Sequence, residues 1–503
     1  MTTKATLNEL KSHLAINDDI GQAISLLGWD QNTYMPPGAN AARGQIMATL
    51  SSLSHERLTD KRVGKWLKEL EKAKLADSST DGATVRQVRN AYDKATKIPA
   101  SFIETWMKQR SKAQGVWTQA RQKNDFALFA PELKKVFDLA RQMADYIGYK
   151  DHPYDALHDG YEVGSTVAEV KKVFEPLRNE TVELVKAIQS SKKKVEDKVL
   201  KQSYDEPLQE KFAVDVVKTF GYDFNHGRLD RTVHPFAQSI TKYDVRITTR
   251  YSPNFVSMAL FGTMHEAGHA MYEQGIADKY HRTPLGHSIS LGIHESQSRM
   301  WENLVGRSKP FWTWAYPTLQ KTFPKQLKKV SLEHFYSAIN KVSPSFIRVE
   351  ADEVTYNLHV MVRFELELAL LENKLKIEDL PEAWNVKYQE YLGVTPKTDA
   401  EGCLQDVHWS FGLVGYFPTY TLGNIMSVQL FEAAKEAHPE IEKDMTQGKF
   451  DKLFSWLRQN VHEHGSRYLP QDLLKRATGS TLDSAPYIAY LNNKFRSLYG
   501  VEK

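Results

Sequence analysis

Apolar side chains return every three or four residues along most of this 503-residue chain, and that spacing restricts it to a mainly helical fold. Phe126, Phe129, Leu133, Val136 and Phe137 trace one such stripe, which continues through Leu139 and Met143. Pro99 opens another helix near its first turn, where a missing amide proton is tolerated. The same pattern predicts helices over 39–59, 166–190, 352–373, 419–438 and 482–498. No repeat of fixed period is visible, which argues against a regular solenoid. Residues 190–210 are the most polar stretch and read as a solvated helix end and loop. One segment departs from helix. In 243–251, Val245, Ile247 and Thr249 alternate with Asp244, Arg246, Thr248 and Arg250, the period of a strand. Asp244, Arg246 and Thr248 then share one polar face, as on a sheet edge or the lining of a cleft.

Composition narrows the class. The formal net charge is +4, too small for a protein built around a nucleic-acid surface. Hydrophobic residues make up 41%, ample for a large core, so wholesale disorder is excluded. Cys403 is the single cysteine, so no intrachain disulfide can form and a reducing compartment fits best. The first residues lack the apolar core of a secretory signal, and no apolar run reaches the roughly 18 residues of a membrane span. The expected setting is therefore cytoplasmic, with neither nucleic acid nor membrane as a partner. Length alone suggests about three domains at roughly 150 residues each.

The sharpest motif is His265-Glu266-Ala267-Gly268-His269, within a stretch that reads as helix. Leu260, Met264, Ala267 and Met271 form its apolar stripe. His265 and His269 stand about one turn apart, so both imidazoles project from one side. Two convergent imidazoles suit Zn²⁺, which takes His nitrogens at about 2.0–2.1 Å. Glu266, one position round the helix, sits beside the metal rather than on it, and can accept a proton from a water the metal activates. A catalytic zinc needs a third protein ligand. Glu295 and Glu302, on a following helical stretch, are both candidates, and either gives a His₂Glu set. The residues after His269 offer no third His at the metzincin spacing.

Taken together, these residues resemble the carboxypeptidase Taq family of zinc metallocarboxypeptidases. HEAGH is followed by Glu295 in His294-Glu295-Ser296-Gln297. Further motifs similar to that family's occur in matching order: Trp29-Asp30 through Pro36, His234-Pro235-Phe236, Asp244-Val-Arg246-Ile-Thr248, Ile347-Arg348 through Asp352, and Gly402-Cys-Leu-Gln405-Asp406-Val-His408-Trp409. The resemblance implies zinc held by His265, His269 and Glu295, one ion per subunit, with Co²⁺ able to substitute. It implies a large helical two-lobed body around a deep groove, with a small β-sheet beside the active-site helix, and a homodimer. It also implies peptide substrates with a free C-terminus, from which single amino acids are released with broad specificity.

Such an enzyme must recognise a carboxylate beside the scissile bond, and the planar fork of Arg suits that task. Arg348 and Arg246 are the candidates, and the sequence does not choose between them. The competing reading of Arg348 is a helix-surface pair with Asp352, and that of Arg246 a pair with Asp244. The strand carrying Asp244, Arg246 and Thr248 can also bind an extended peptide along its edge. His408, with Tyr416 or Tyr420, is placed to donate to the oxyanion of the tetrahedral intermediate. Asp406 and Gln405 orient that segment, Trp409 packs, and Cys403 is a small buried residue. His234 and His294 carry outer or structural roles.

The expectation is a zinc carboxypeptidase in which Glu266 is the general base. The motifs are scattered from Trp29 to Tyr420, so residues 1–503 read as one catalytic domain with two helical lobes flanking its cleft. The alternatives are a zinc endo-oligopeptidase or dipeptidase on the same scaffold, and a non-catalytic helical peptide-binding protein.

Overall fold

The computed structural model describes residues 2–502. The chain is mainly helical, and its one sheet among the described residues has three short strands. It divides into two compact units. The first comprises 1–96, 196–339 and 427–481, and the second 97–195, 340–426 and 482–503.

The first unit is organised around the helix Val256–Gly275, which carries the HEAGH motif. Met264, Ala267, Ala270 and Met271 are buried along it, and so are Leu260, Phe261 and Tyr272. A helix apolar on so many sides belongs in a core rather than at a surface. An aromatic cluster lies in the same unit, with Phe220 4.6 Å from Trp301, 4.9 Å from Phe450 and 5.7 Å from Phe311. The sheet packs against the motif helix through β3, Asp244–Thr249, whose Val245 and Ile247 are buried.

The strand predicted at 243–251 is present, but it is not an edge. Its neighbours are β1, Leu229–Arg231, paired parallel, and β2, Ala237–Thr241, paired antiparallel. The order β1-β3-β2 puts β3 in the centre. Both of its edges are hydrogen-bonded, so residues 244–248 cannot take a peptide by strand addition. The periodicity of β3 was visible because it has six residues. β1 has three, and β2 lacks a run of β-branched residues, so neither left a pattern in the sequence.

The second unit is built from long amphipathic helices. Ala100–Lys123 and Phe126–Ile147 pack together through a two-residue connection. There Asn124 takes φ 54°, in the left-handed region that Asn tolerates, and the Asp125 side chain accepts from the Leu128 amide. Val167–Ser190 begins with a reciprocal capping box between Thr166 and Glu169. Tyr356–Leu371 is almost wholly buried, and Leu380–Leu392 and Ala485–Tyr499 complete the set. Pro418–Ala437 begins in this unit.

Two expectations change here. The helix read over 352–373 starts only at Tyr356, because the Asp352 carboxylate accepts from the amides of Val354 and Thr355 and forms a turn before it. Arg348 therefore lies in a 3₁₀ turn, Arg348–Glu350, and not on a helix surface beside Asp352. The polar stretch 190–210 is not all solvated. Val199, Leu200 and Tyr204 are buried, and the Tyr204 hydroxyl donates to the Val199 carbonyl.

Candidate metal centre

Two helices of the first unit meet at Gly268. A Cβ at that position would lie 2.6 Å from the Gln297 carbonyl oxygen and 2.7 Å from the Ser298 Cα. Only glycine lets the backbone of Leu291–Arg299 approach so closely, and that approach brings Glu295 to the imidazoles. Glu295 Oε2 stands 3.3 Å from His269 Nε2 and 3.7 Å from His265 Nε2. Donor atoms from all three residues lie within 4.8 Å of one another.

The opposite face of each imidazole is also engaged. His265 Nδ1 meets Glu302 Oε2 at 2.9 Å. His269 Nδ1 meets His294 Nδ1, and His294 Nε2 lies 2.9 Å from Glu273 Oε1. The Glu302 carboxylate can only accept, so a proton sits on His265 Nδ1, and the Nε2 atoms of both rings face Glu295. Glu302, one of two candidate ligands in the sequence, is thereby placed behind His265. It rides on a π-helical segment, Met300–Val305, that continues Leu291–Arg299. Arg299 Nε donates to Glu295 Oε1 at 2.7 Å, and Arg299 Nη1 to Glu302 Oε2 at 3.2 Å. Arg307 Nη2 donates to Glu302 Oε1 at 3.3 Å.

These charges set the protonation of the cluster. Burial pushes Glu295 and Glu302 up, but Arg299 and the imidazoles outweigh it. Glu295 falls well below the usual carboxylate range and Glu302 falls to about 2. Burial, with His294 nearby, brings His269 down to about 3 and keeps it a neutral donor. Glu266 differs from its neighbours: burial raises its carboxyl to about 7. Burial lowers His265, but Glu295, Glu302 and Glu266 outweigh it and raise that imidazole above its ordinary value. Two imidazoles and an ionised carboxylate, converging within one small triangle, are a donor set that fits a divalent cation.

The remaining predicted residues fall into two groups. Arg246 forms a two-pronged pair with Asp244 at 2.8 and 2.7 Å and stacks 4.3 Å from the Trp29 ring centre. Thr248 is buried, and its hydroxyl bonds both the amide and the carbonyl of Phe236. Their polar groups are thus used within the first unit. In the second unit, Arg348 Nε and Nη2 reach Asp406 Oδ1 at 3.0 and 2.8 Å. Arg363 Nε takes Asp406 Oδ2 at 2.6 Å, and the Arg348 amide donates to Gln405 Oε1 at 2.8 Å. Two buried guanidiniums share one carboxylate, which leaves a net positive charge. His408 Nε2 lies 3.1 Å from the Tyr420 hydroxyl, and the Tyr416 ring centre is 5.3 Å from that of His408. Burial and the Arg348 charge bring His408 down to about 3. Trp409 packs and donates to Glu367, and Cys403 is buried and free. His234 is exposed in a loop.

Sequence reasoning missed Arg363, Glu273, Arg299 and Arg307. Glu273 follows His269 by one helical turn, a spacing that could have marked it, but a lone Glu at that distance is ordinary.

A buried helical core presenting a His–His–carboxylate set is a site of the kind metal-dependent hydrolases use. The chain belongs to the carboxypeptidase Taq (M32) metallopeptidase family, which it matches over residues 9–495. It is 44% identical to thermostable carboxypeptidase 1 of Thermus thermophilus, over 99% of this chain and 100% of that one. It is 41% identical to carboxypeptidase 1 of Bacillus subtilis, over 95% of each. The crystal structure of an M32 carboxypeptidase from Deinococcus radiodurans superposes with a TM-score of 0.96 at 42% identity, covering 99% of this chain and 100% of that one. The protein is accordingly a metallocarboxypeptidase, a peptide hydrolase whose family implies a divalent metal. No helix among the described residues is long and apolar enough to cross a membrane.

Gly268→Ala should force the two helices apart. Overpacking of this kind costs about 1–3 kcal/mol. Metal retained after dialysis against chelator should fall together with the thermal midpoint, and unchanged retention would break the link between this contact and the donor triangle. Asp406→Asn strands two buried guanidiniums at a cost of about 3–5 kcal/mol. The folded carboxyl of Asp406 is held far below its ordinary value: burial pushes it up, but Arg348 and Arg363 overcome that. Its stabilisation is therefore complete above the unfolded value of about 3.9 and is lost as pH falls below it. Thermal midpoints from pH 7 to pH 3 should fall less steeply in Asp406→Asn than in wild type.

Proposed function

We propose that the protein is a zinc carboxypeptidase that removes single amino acids from the free C-terminus of peptides, with Glu266 as general base. The observation carrying this reading is the convergence of His265 Nε2, His269 Nε2 and Glu295 Oε2, with Glu266 buried beside them. His265, His269 and Glu295 would hold the ion. When bound, a divalent cation supplies Lewis-acid polarisation of the scissile carbonyl and lowers the pKa of the attacking water. Zn²⁺ suits two imidazoles and a carboxylate, one ion per subunit, and Co²⁺ shares those preferences closely enough to replace it. Glu266 accepts the water proton and passes it to the leaving amine. Glu266 is buried beside the donor triangle, which suits that role, whereas Glu295 and Glu302 are already committed to Arg299.

For the substrate carboxylate we favour Arg348 over Arg246. The Arg246 fork is closed by Asp244. Arg348 shares Asp406 with Arg363, and the surplus positive charge favours an incoming anion. His408 and Tyr420, with Tyr416 beside them, are assigned to the oxyanion. Asp244 and Thr248 support the site indirectly, Asp244 by holding Arg246 and Thr248 by holding the backbone at Phe236. We further read residues 1–503 as one catalytic domain, working in the cytoplasm as a homodimer.

Glu266→Gln should keep its metal and lose about 10²–10⁴ of kcat, the usual contribution of a general base. Metal content and peptide turnover measured on one sample check this, and loss of the metal would show that Glu266 is a ligand. A matched pair of peptides, one a free acid and one its amide, separates exopeptidase from endopeptidase. Turnover should be confined to the acid, and equal cleavage of both would favour the endo-oligopeptidase reading.

A further inference from the structure

The two imidazoles of the metal centre are held from behind in different ways. His265 Nδ1 meets a carboxylate, Glu302, which Arg299 and Arg307 pin from two sides. Behind His269 there is no carboxylate in direct reach. Its Nδ1 meets Nδ1 of a second imidazole, His294. The far nitrogen of that ring, Nε2, lies 2.9 Å from Glu273 Oε1. Glu273 stands one turn beyond His269 on the same helix, so the chain of contacts leaves the helix at His269, crosses to His294 on the neighbouring helix, and returns. The rings of His269 and His294 are 4.5 Å apart, and the Tyr272 ring lies 5.3 Å from His294, which limits how far that imidazole can turn.

With His269 Nε2 left free to hold a metal, the proton of that neutral ring sits on Nδ1. Glu273 is an acceptor, so His294 Nε2 carries a proton and donates it. His294 Nδ1 then accepts the proton that His269 Nδ1 carries between the two rings. His269 Nε2 is left unprotonated, facing Glu295. We propose that His294 and Glu273 form a two-link positioning relay. It fixes the tautomer and the ring plane of His269, doing for this ligand through an intermediate imidazole what Glu302 does directly for His265. Neither residue touches the reacting atoms, and both act through His269. Their Glu273 end lines a cavity of about 330 Å³, bordered also by His287 and Ser288.

The proposal rests on the metal-site reading above, and its test separates the two. The apo forms of wild type, Glu295→Ala, His294→Ala, His294→Gln, Glu273→Ala and Glu273→Gln are titrated with Zn²⁺ against a chromophoric chelator. The same proteins are then loaded with Co²⁺ and their visible spectra recorded. Removing an outer partner of a metal-bound His typically weakens metal affinity about 10–100-fold. His294→Ala and Glu273→Ala should fall in that range and should shift the Co²⁺ bands, because an unheld ring changes the ligand geometry. Gln at 294 can accept at its oxygen and donate at its nitrogen, so His294→Gln should recover most of the affinity. Glu273→Gln keeps the acceptor but loses the charge, so it should lie between wild type and Glu273→Ala. Wild-type affinity and an unshifted spectrum in both Ala variants would overturn the relay. Wild-type protein that takes up no metal, or Glu295→Ala that binds as well as wild type, would overturn the metal-site reading instead. If an Ala variant does not fold, the comparison of the two Gln variants with wild type decides: equal loss in both would mean the hydrogen-bond order proposed here is wrong.

Discussion

The metal centre depends on one close approach between two helix backbones. Gly268 lets Leu291–Arg299 lie against Val256–Gly275, and Glu295 reaches the two imidazoles only because of it. The contact is supported elsewhere along the same seam. Gln297 Oε1 meets His462 Nε2 at 2.8 Å, and a Cβ at Gly275 would lie 2.6 Å from the His462 Cβ. A close-packed seam of this kind has few alternative arrangements, so packing fixes where the three donor side chains stand. The cost is the desolvation of Glu295, Glu302 and Glu273, which is offset by Arg299, Arg307 and the imidazoles around them. Such a network stabilises only when each member is satisfied.

Near-neutral overall charge conceals two opposed local fields. Around the donor triangle, buried carboxylates outnumber the guanidiniums, which favours a cation. Around Arg348, two buried guanidiniums meet a single Asp406, which favours an anion. A peptidase that must hold a metal and also recognise a terminal carboxylate needs both signs, each confined to its own surroundings. A formal net charge of +4 is the small residue of that separation and says little about either site.

Much of the fold was legible in the chain because helical periodicity survives any packing arrangement. The helices read at 166–190 and 482–498 begin and end within a few residues of Val167–Ser190 and Ala485–Tyr499. The failures share a cause. Asp352 looked like the helical partner of Arg348, but its carboxylate turned to the amides of Val354 and Thr355, and Arg348 paired with Asp406, 58 positions further on. A local spacing rule cannot see a partner that distant. Asp244–Thr249 looked like an edge because its own residues are polar on one face, whereas edge or centre is decided by β1 and β2, which are too short or too irregular to announce themselves. Val199, Leu200 and Tyr204 looked solvated within a run of charges, yet three apolar side chains were enough to anchor the segment.

By itself the sequence determined which donor types stand together: two imidazoles one helical turn apart, an acid beside them, and two acids further along as candidates for a third donor. It also determined the mainly helical class, since only that class buries such a pattern. The tertiary structure decided where each acid stands. Glu295 and Glu302 lie seven residues apart on one continuous helical segment, and either could have faced the imidazoles. The helix packing at Gly268 puts Glu295 at the Nε2 atoms, while the π-helical continuation sets Glu302 behind His265. Tertiary structure likewise decided that Arg246 is already paired while Arg348 retains uncompensated charge. Ligand type is a property of a residue, but coordination and net local charge are properties of neighbours, and neighbours distant in sequence are assigned only when the core closes around them.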